Sequence, residues 1–299
     1  MQPRVELIAV RKSYDGFVAV DDLTFSIFPG QIFGLLGPNG AGKTSTIRMM
    51  IGIIAPDSGI VRIFGAPLSR AAMHRVGYLP EERGLYRRMT VRENLSFLGQ
   101  LAGLSTALAA ERTQNWAARL AIDDRLGDRV EELSKGMQQK IQFIAALLHD
   151  PDLIIMDEPF AGLDPVNSMQ LKNVLVELKS AGKTILFSTH RMDQVEKLCD
   201  SICLIDHGKS VLQGNLSEIK AGYGNRFVQI DYDGDGRFLA HSGLVESLND
   251  YGNHAELSLK PGADSQDLLR LAMSSLRVRR FQVMEPSLEQ IFIDHVTPK

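Results

Sequence analysis

A glycine-rich loop carrying one lysine and two hydroxyl residues is the strongest chemical signal in the sequence. The loop reads Gly37-Pro38-Asn39-Gly40-Ala41-Gly42-Lys43-Thr44-Ser45. Its glycines let backbone amides converge on phosphate oxygens, and the N-terminus of a following helix adds partial positive charge. The Lys43 ammonium would neutralise the outer phosphates, and the Thr44 hydroxyl would bind Mg²⁺. Because the loop directly follows the apolar run Ile32–Leu36, it has the strand-loop-helix setting that a polyphosphate site requires.

Two carboxylates follow a second apolar run, at residues 153–156. A buried strand that ends at the phosphate-binding edge of a sheet places its last side chains where a ligand binds. Asp157 would then hold Mg²⁺ through water, and Glu158 would polarise a nucleophilic water. The alternative is an Asp-Glu pair that only opens a loop before Pro159. The glycine loop upstream favours the catalytic interpretation.

Strand-length apolar runs alternate with helical patterns from residue 5 to about 214 and would position these groups. The alternation predicts an α/β core with a mainly parallel sheet, and its strand runs lie at 31–36, 153–156, 184–188 and 201–205. Short runs at 18–25 and 59–64 predict an antiparallel accessory sheet. Helix formers dominate from about 84 to 132, which predicts a helical insertion whose first helix opens with a capping box from Thr90 to Glu93.

A second domain is predicted beyond a glycine-rich break at residues 221–225. Residues 225–299 follow the pattern of a small α+β domain, with strands near 228–232, 255–259 and 278–284, a helix from about Ser265, and a last helix opened by a capping box at 287–290. The first domain would occupy residues 1–220.

One acidic segment of the second domain resembles a calcium loop. Asp231, Asp233 and Asp235 alternate before Gly236, but the twelfth position is Ser242, where such a loop needs a bidentate Glu. Asp and Gly favour turns, so a hairpin turn is the preferred interpretation.

The composition is that of an ordinary soluble globular chain. Of 299 residues 44% are hydrophobic and 23% charged, and 33 basic against 36 acidic residues leave a net charge of −3. This balance gives no global attraction to nucleic acid, so no nucleic-acid partner is expected. No apolar run reaches the roughly 20 residues of a membrane-spanning helix, and no signal peptide opens the chain, which favours the cytoplasm.

Cys199 and Cys203 are spaced for one helix face and predict two buried thiols.

Three further motifs identify a family by their order and spacing. They are Leu133-Ser134-Lys135-Gly136-Met137-Gln138, Gly162-Leu163-Asp164-Pro165 and Ser188-Thr189-His190. They resemble the signature, D-loop and H-loop of ATP-binding cassette (ABC) proteins, and Tyr14 corresponds to the aromatic residue that stacks on adenine in that family. The resemblance covers about residues 4–220. It implies the fold of a P-loop NTPase ABC nucleotide-binding domain, with a mainly parallel core sheet, an antiparallel β subdomain and a helical insertion.

The resemblance also implies ATP and Mg²⁺ as ligands and a second ABC subunit as partner, with a homodimer expected. In such proteins ATP lies between two nucleotide domains, and each gives its glycine loop to one nucleotide and its signature to the other. Ser134 and Gly136 would thus face the partner's γ-phosphate, with Asp164 in the same interface. His190 would contact the γ-phosphate and hold the attacking water beside Glu158.

Two departures from the family pattern concern the same site. The family has Gly and Gln where this chain has Lys135 and Met137, and it has Gln where Glu81 stands. Lys135 either adds a cation near the partner's phosphate or is simply solvated. A carboxylate at Glu81 can still bind Mg²⁺ but brings negative charge towards the polyphosphate.

The motif around 77–86 and the C-terminal motif 285–292 resemble ABC-2 type export ATPases of the sodium and drug efflux branch. That resemblance implies a separate polytopic permease, which would hold the chain at the inner face of the cell membrane and select the substrate; sodium, a drug, a lipid or a peptide all stay open. The dock for the permease would be formed by Leu85, Tyr86 and Phe97, beside Arg83, Arg87, Arg88 and Arg92. For the arginines, a solvated face is an equal alternative.

Two other functions compete with export: a soluble ABC ATPase acting on ribosomes or DNA, and a non-hydrolysing ATP-gated module. The single cassette disfavours the first, and the presence of Glu158 and His190 disfavours the second.

Overall fold

The computed structural model divides the chain into two compact units, Met1–Gly214 and Asn215–Lys299. It describes residues 2–82, 84–223, 226–285 and 287–296. Arg83, Gly224, Asn225 and Pro286, which entered the sequence analysis, lie outside the described residues. The boundary between the two units falls at residues 214 and 215, ahead of the predicted break at 221–225. The helix Leu216–Tyr223 therefore belongs to the second unit, and residues 221–223 of the predicted break are its last residues.

The first unit alternates strands and helices along the chain. Its elements are β1 (Val5–Tyr14), β2 (Phe17–Ile27), β3 (Ile32–Leu36), α1 (Lys43–Met50), β4 (Ser58–Ile63), β5 (Ala66–Pro67), α2 (Arg70–Met73), β6 (Val76–Leu79), α3 (Val91–Leu101), α4 (Thr106–Arg119), α5 (Lys135–Leu147), β7 (Leu153–Asp157), α6 (Pro165–Ser180), β8 (Thr184–Thr189), α7 (Met192–Leu198), β9 (Ser201–Asp206) and β10 (Lys209–Asn215).

The core sheet has the strand order β10-β9-β3-β8-β7-β6. β3 pairs in parallel with β8 and β9, and β7 pairs in parallel with β6 and β8. Every residue of β3, β7 and β8 is buried, which explains why these strands read as continuous apolar runs in the sequence. The predicted α/β class with a mainly parallel sheet is confirmed.

A smaller sheet of order β2-β1-β4-β5 has antiparallel pairing, as predicted from the short N-terminal runs. Helices α3 and α4 occupy the predicted helical insertion. The capping box that opens α3 is present, since Thr90 Oγ1 accepts from the Glu93 amide at 3.2 Å and Glu93 Oε2 accepts from the Thr90 amide at 2.8 Å.

The second unit is an α+β fold built on an antiparallel sheet of order β12-β13-β11-β14. Its elements are α8 (Leu216–Tyr223), β11 (Phe227–Asp233), β12 (Val245–Asp250), β13 (His254–Leu259), α9 (Ser265–Ser275), β14 (Arg277–Met284) and α10 (Leu288–Val296). Strand β12 was not predicted, because Glu246, Asn249 and Asp250 are polar and its pattern is mostly exposed.

The hairpin predicted at residues 231–236 is wrong. β11 runs to Asp233, and a 3₁₀ helix from Gly236 to His241 follows in place of a strand. Asp231 Oδ1 lies 2.5 Å from His254 Nδ1, and Asp235 pairs with Arg237 at 2.6 Å. These carboxylates are used in local pairs, which gives no support to a calcium loop.

Both cysteines are free and buried, as predicted, but they do not share a helix. Cys199 is the residue that follows α7, whereas Cys203 lies in β9, where burial raises the pKa of its thiol to about 12. Within the described ranges, no helix combines the length and apolar character needed to cross a membrane.

Candidate functional site

The parallel register brings three loops to one edge of the core sheet. β3 lies between β8 and β9, and its last residue, Leu36, is level with Thr189 at the end of β8. Asp157, the last residue of β7, is level with Ser188. The glycine loop, the Asp157-Glu158 pair and the residues that follow Thr189 therefore meet where ligands bind in open parallel sheets.

The glycine loop turns tightly into helix α1. Gly42 is the N-cap residue with φ of +105°, and a Cβ at this position would stand 2.3 Å from the Ala19 carbonyl oxygen, so only glycine fits. Lys43 opens the helix and is buried, with its Nζ donating to the carbonyl oxygens of Gly37 at 2.9 Å and Pro38 at 3.1 Å. The ammonium can exchange these carbonyl oxygens for phosphate oxygens, which attract it more strongly.

Burial and charge act on Lys43 in opposite directions. Desolvation lowers the pKa of its ammonium, while the nearby carboxylates of Glu158, Asp157 and Glu81 raise it. Three carboxylates thus face one ammonium, and a polyphosphate entering here would meet an excess of negative charge. Added cationic charge would relieve this imbalance.

A cavity of about 430 Å³ collects most of the predicted site residues. Its lining consists of Tyr14, Phe17, Ala19, Asn39, Gly40, Gly42, Lys43, Thr44, Ser45, Glu81, Asp157 and Glu158. The remaining loop residues support the loop from outside this lining. The carbonyls of Gly37 and Pro38 hold Lys43, and Ala41 is buried in the hydrophobic core.

Asp157 has the properties of a metal-binding carboxylate. It is 1% exposed, its Oδ1 accepts a hydrogen bond from the Ser188 hydroxyl, and its Oδ2 has no hydrogen-bond partner among the described residues. A buried carboxylate oxygen without a donor is costly, so a cation at this position would stabilise it. Thr44 and Glu81 line the same cavity, and both side chains carry oxygen atoms, the ligand type that Mg²⁺ prefers. The residues present therefore fit a Mg²⁺ ion.

Glu158 is held by residues at the end of β8. Its Oε1 accepts from the His190 amide at 3.1 Å and lies 2.9 Å from His190 Nδ1, while its Oε2 accepts from the Thr189 hydroxyl at 3.2 Å. We place the ring hydrogen on Nδ1, because an ionised carboxylate can only accept. The backbone of Glu158 adopts φ of +48°, a strained conformation for a residue with a side chain and one that clusters at functional sites. The arrangement orients the carboxylate towards the cavity that it lines.

Ser134, Gly136 and Asp164 lie on a different part of the surface. Ser134 is exposed and caps α5, with its Oγ accepting from the Met137 amide at 3.3 Å. Asp164 caps α6, and its Oδ1 accepts from the Asn167 amide at 2.9 Å, which lowers the pKa of its carboxyl. A Cβ on Gly136 would lie 3.6 Å from Leu163, so the two motifs are neighbours. They form one edge of the chain but do not line the cavity that contains Lys43.

Four residues of the site were missed in the sequence. Ser188 and Thr189 were noted only as part of the motif that carries His190. The Ser188 hydroxyl donates a hydrogen bond to Asp157, and the Thr189 hydroxyl donates one to Glu158. Phe17 and Ala19 line the cavity. The signal for Phe17 was the Asp15-Gly16 pair between Tyr14 and Phe17, a typical two-residue hairpin turn that would place both rings together.

Comparison with known proteins connects this geometry to a family. Residues 20–161 match the family model described as ABC transporter, and residues 214–296 match the C-terminal domain of DrrA1-3-like ATP-binding proteins. The ABC transporter ATP-binding protein YhaQ of Bacillus subtilis is 44% identical over 288 residues, which cover 96% of this chain and 96% of YhaQ. The chain belongs to the ABC transporter ATP-binding proteins. An ABC ATP-binding domain implies ATP binding and ATPase activity, and the predicted family is confirmed.

Two other relatives of this ABC protein cover less of the chain. The Nod factor export ATP-binding protein I of Paraburkholderia xenovorans is 42% identical over 73% of this chain and 72% of its own length. The solved structure of an ATP binding subunit of an ABC transporter superposes with a TM-score of 0.68 at 33% identity, over 74% of this chain and 93% of that one.

Proposed function

We propose that this ABC protein hydrolyses ATP in the presence of Mg²⁺ and drives export through a separate polytopic permease. The observation that carries the proposal is one cavity in which the Lys43 loop, Asp157 and the strained, hydrogen-bonded Glu158 meet. The similarity to a Nod factor export protein supports export as the direction of transport. Held by the permease, the chain would lie at the cytoplasmic face of the membrane.

The chemical step assigned to Glu158 is general-base catalysis. Its carboxylate accepts a proton from a water whose oxygen forms a bond to the γ-phosphorus, while the bond from that phosphorus to the bridging oxygen of ADP breaks. His190 orients Glu158 through Nδ1, which makes Nε2 the ring nitrogen that can contact the water or the γ-phosphate. Lys43 and the loop amides bind the phosphate oxygens.

Thr44, Asp157 and Glu81 are the residues that would hold Mg²⁺. When bound, the ion supplies positive charge to the phosphate oxygens. Tyr14 is assigned to the adenine, since it lines the same cavity as the loop and its hydroxyl donates to Ser45 Oγ at 3.4 Å.

Two copies of the chain are proposed to close over ATP. The edge that carries Ser134, Gly136 and Asp164 is separate from the cavity of its own chain, so it is available to the nucleotide of a partner. Ser134 stands at the N-terminus of a 13-residue helix, where the hydroxyl, the amides and the helix dipole favour a phosphate. Hydrolysis would remove the shared γ-phosphate and release the pair.

The permease is proposed to dock on the helical insertion. Tyr86 and Phe97 are both exposed, and their rings meet edge to face at 5.3 Å. Asn94 fixes the position of Tyr86, because its side chain accepts from the Tyr86 amide at 2.9 Å and donates to the Tyr86 carbonyl at 2.8 Å. An exposed aromatic pair on a rigid support is typical of an interaction surface.

The neighbours of this pair refine the predicted dock. Arg87, Arg88 and Arg92 are exposed beside it, whereas Leu85 is buried and belongs to the core. The predicted contribution of Leu85 to the docking surface is therefore removed from the proposal.

Co-purification from membranes tests the transport role. The tagged full chain is expected to bring down a polytopic membrane protein, and the double substitution Tyr86→Ala, Phe97→Ala is expected to lose it while keeping ATP turnover. Recovery of ribosomes or DNA in place of a membrane protein would contradict the proposal and favour a soluble ABC ATPase.

A further inference from the structure

The turn between β1 and β2 places two aromatic rings at the mouth of the nucleotide cavity. Tyr14 and Phe17 are the last register pair of this antiparallel hairpin. The two residues between them, Asp15 and Gly16, have φ of +46° and +85°. Positive φ at both positions is the signature of a type I′ turn, for which Asp-Gly is a preferred sequence. Because directly opposed residues of paired strands point to the same face, both rings are directed to one side, and both line the cavity.

The two rings differ in how the protein holds them. Tyr14 is 40% exposed, its hydroxyl donates to Ser45 Oγ at 3.4 Å, and Lys12 Nζ lies 5.7 Å from its ring centroid. Phe17 has no polar atom in its side chain and is 65% exposed. A phenylalanine exposed to this degree gains little from burial in the chain itself, whereas a planar ligand laid against it would remove its ring from water.

We propose that Phe17 is a second base-binding residue, which packs against the nucleobase of ATP together with Tyr14. This inference rests on the proposed function, because it assigns the cavity to a nucleotide. A phenyl ring offers contact area but no hydrogen bond to a base edge, so Phe17 favours large planar bases over small ones without distinguishing adenine from guanine. The rigid two-residue turn fixes the spacing of the rings before the nucleotide binds.

Substitution of Phe17 in the full chain separates base binding from phosphate binding. In Phe17→Ala the Kd for ATP with Mg²⁺ is expected to rise about tenfold, within the range found when one stacking ring is removed, and Phe17→Tyr is expected to restore it. The Kd for inorganic tripolyphosphate, which has no base, is expected to stay unchanged. Phe28→Ala is the matched control, since Phe28 is 44% exposed just beyond β2 and is outside the set of described residues that line the cavity.

Two results would overturn the assignment. An unchanged Kd for ATP in Phe17→Ala would remove Phe17 from base binding. An equal loss of ATP and tripolyphosphate affinity would show that the ring only supports the loop. Selectivity gives a further check, because the preference of the wild type for ATP and GTP over CTP is expected to shrink in Phe17→Ala, and an unchanged preference would contradict base stacking. Failure of the proposed function is a different result, in which the wild-type chain itself neither binds nor hydrolyses ATP.

Discussion

At the residue scale, Glu158 is the proposed general base, and the substitution Glu158→Gln tests that role. A glutamine oxygen can replace Oε1 as the acceptor for the two His190 N–H groups, and its amide can donate to the Thr189 hydroxyl, so the local structure is expected to persist. The amide cannot accept the proton of the attacking water. Phosphate release is expected to fall by about 10² to 10⁴-fold, with ATP binding retained.

Glu82→Gln is the matched control for that experiment. It removes the same charge at an exposed neighbour of the site that is outside the described lining of the cavity, and turnover is expected to stay at the wild-type level. Wild-type turnover in Glu158→Gln would mean that another group activates the water.

Glu81 is proposed to make nucleotide binding depend on metal. It is one of three carboxylates that act on Lys43 in the cavity, and metal-free ATP must approach all three. Removing one negative charge at about 4 Å is worth on the order of 1 kcal/mol in a water-like dielectric, or about fivefold in affinity. In Glu81→Gln the Kd for ATP in EDTA is therefore expected to fall about fivefold. A Kd that does not change in EDTA would contradict this account of the charge balance.

At the scale of elements, His149 connects the segment that follows α5 to strand β6. Its Nε2 lies 3.1 Å from the Val76 carbonyl oxygen, so Nε2 carries the hydrogen, and burial is the main cause that lowers the pKa of the imidazole below 6.5. A group whose pKa is lower in the folded state contributes stability that is complete above the unfolded pKa and is lost as the pH falls towards the folded one.

The substitution His149→Gln tests that contact. Glutamine can donate to the same carbonyl but does not titrate, so the free energy of unfolding of the variant is expected to fall less than that of the wild type between about pH 7 and pH 5. Denaturant unfolding at the two pH values measures the difference. Parallel losses in both proteins would show that His149 is not a source of acid sensitivity.

The sequence predicts well those elements whose secondary structure follows from a local pattern, such as a continuous apolar run or a capping box. β3, β7, β8 and β9 are continuous apolar runs, and α3 opens with a capping box. β12 escaped prediction because it is an edge strand with polar residues, and the segment after Asp233 became a 3₁₀ helix although its residues favour a turn. Local sequence does not specify which partner a strand will find.

The same distinction applies to the site. The glycine loop and Asp157-Glu158 are contiguous motifs, so their chemistry could be predicted from residue types. The hydrogen bonds of Ser188 to Asp157 and of Thr189 to Glu158 depend on the pairing of β7 with β8, which no local pattern contains. That no described residue donates a hydrogen bond to Asp157 Oδ2 also depends on packing.

At the scale of the whole molecule, the two groups of residues that are proposed to bind ATP lie apart within one chain. The cavity with Lys43 and Glu158 lies at the edge of the core sheet, and the Ser134 edge is elsewhere on the same unit. In two copies arranged head to tail, the Lys43 cavity of one chain and the Ser134 edge of the other would bind the same ATP. In the proposed dimer, ATP binding would bring the two copies together and hydrolysis would release them, and such a cycle could drive a permease.

Sedimentation of the Glu158→Gln chain tests this claim most directly, because the variant is expected to bind ATP without consuming it. With ATP and Mg²⁺, the mass of the variant is expected to double from the 33.1 kDa of one chain. With ADP, the mass is expected to stay that of one chain. When Ser134→Arg is added to the variant, the protein is expected to stay monomeric while it still binds ATP. A chain saturated with ATP that stays monomeric under all these conditions would contradict the account.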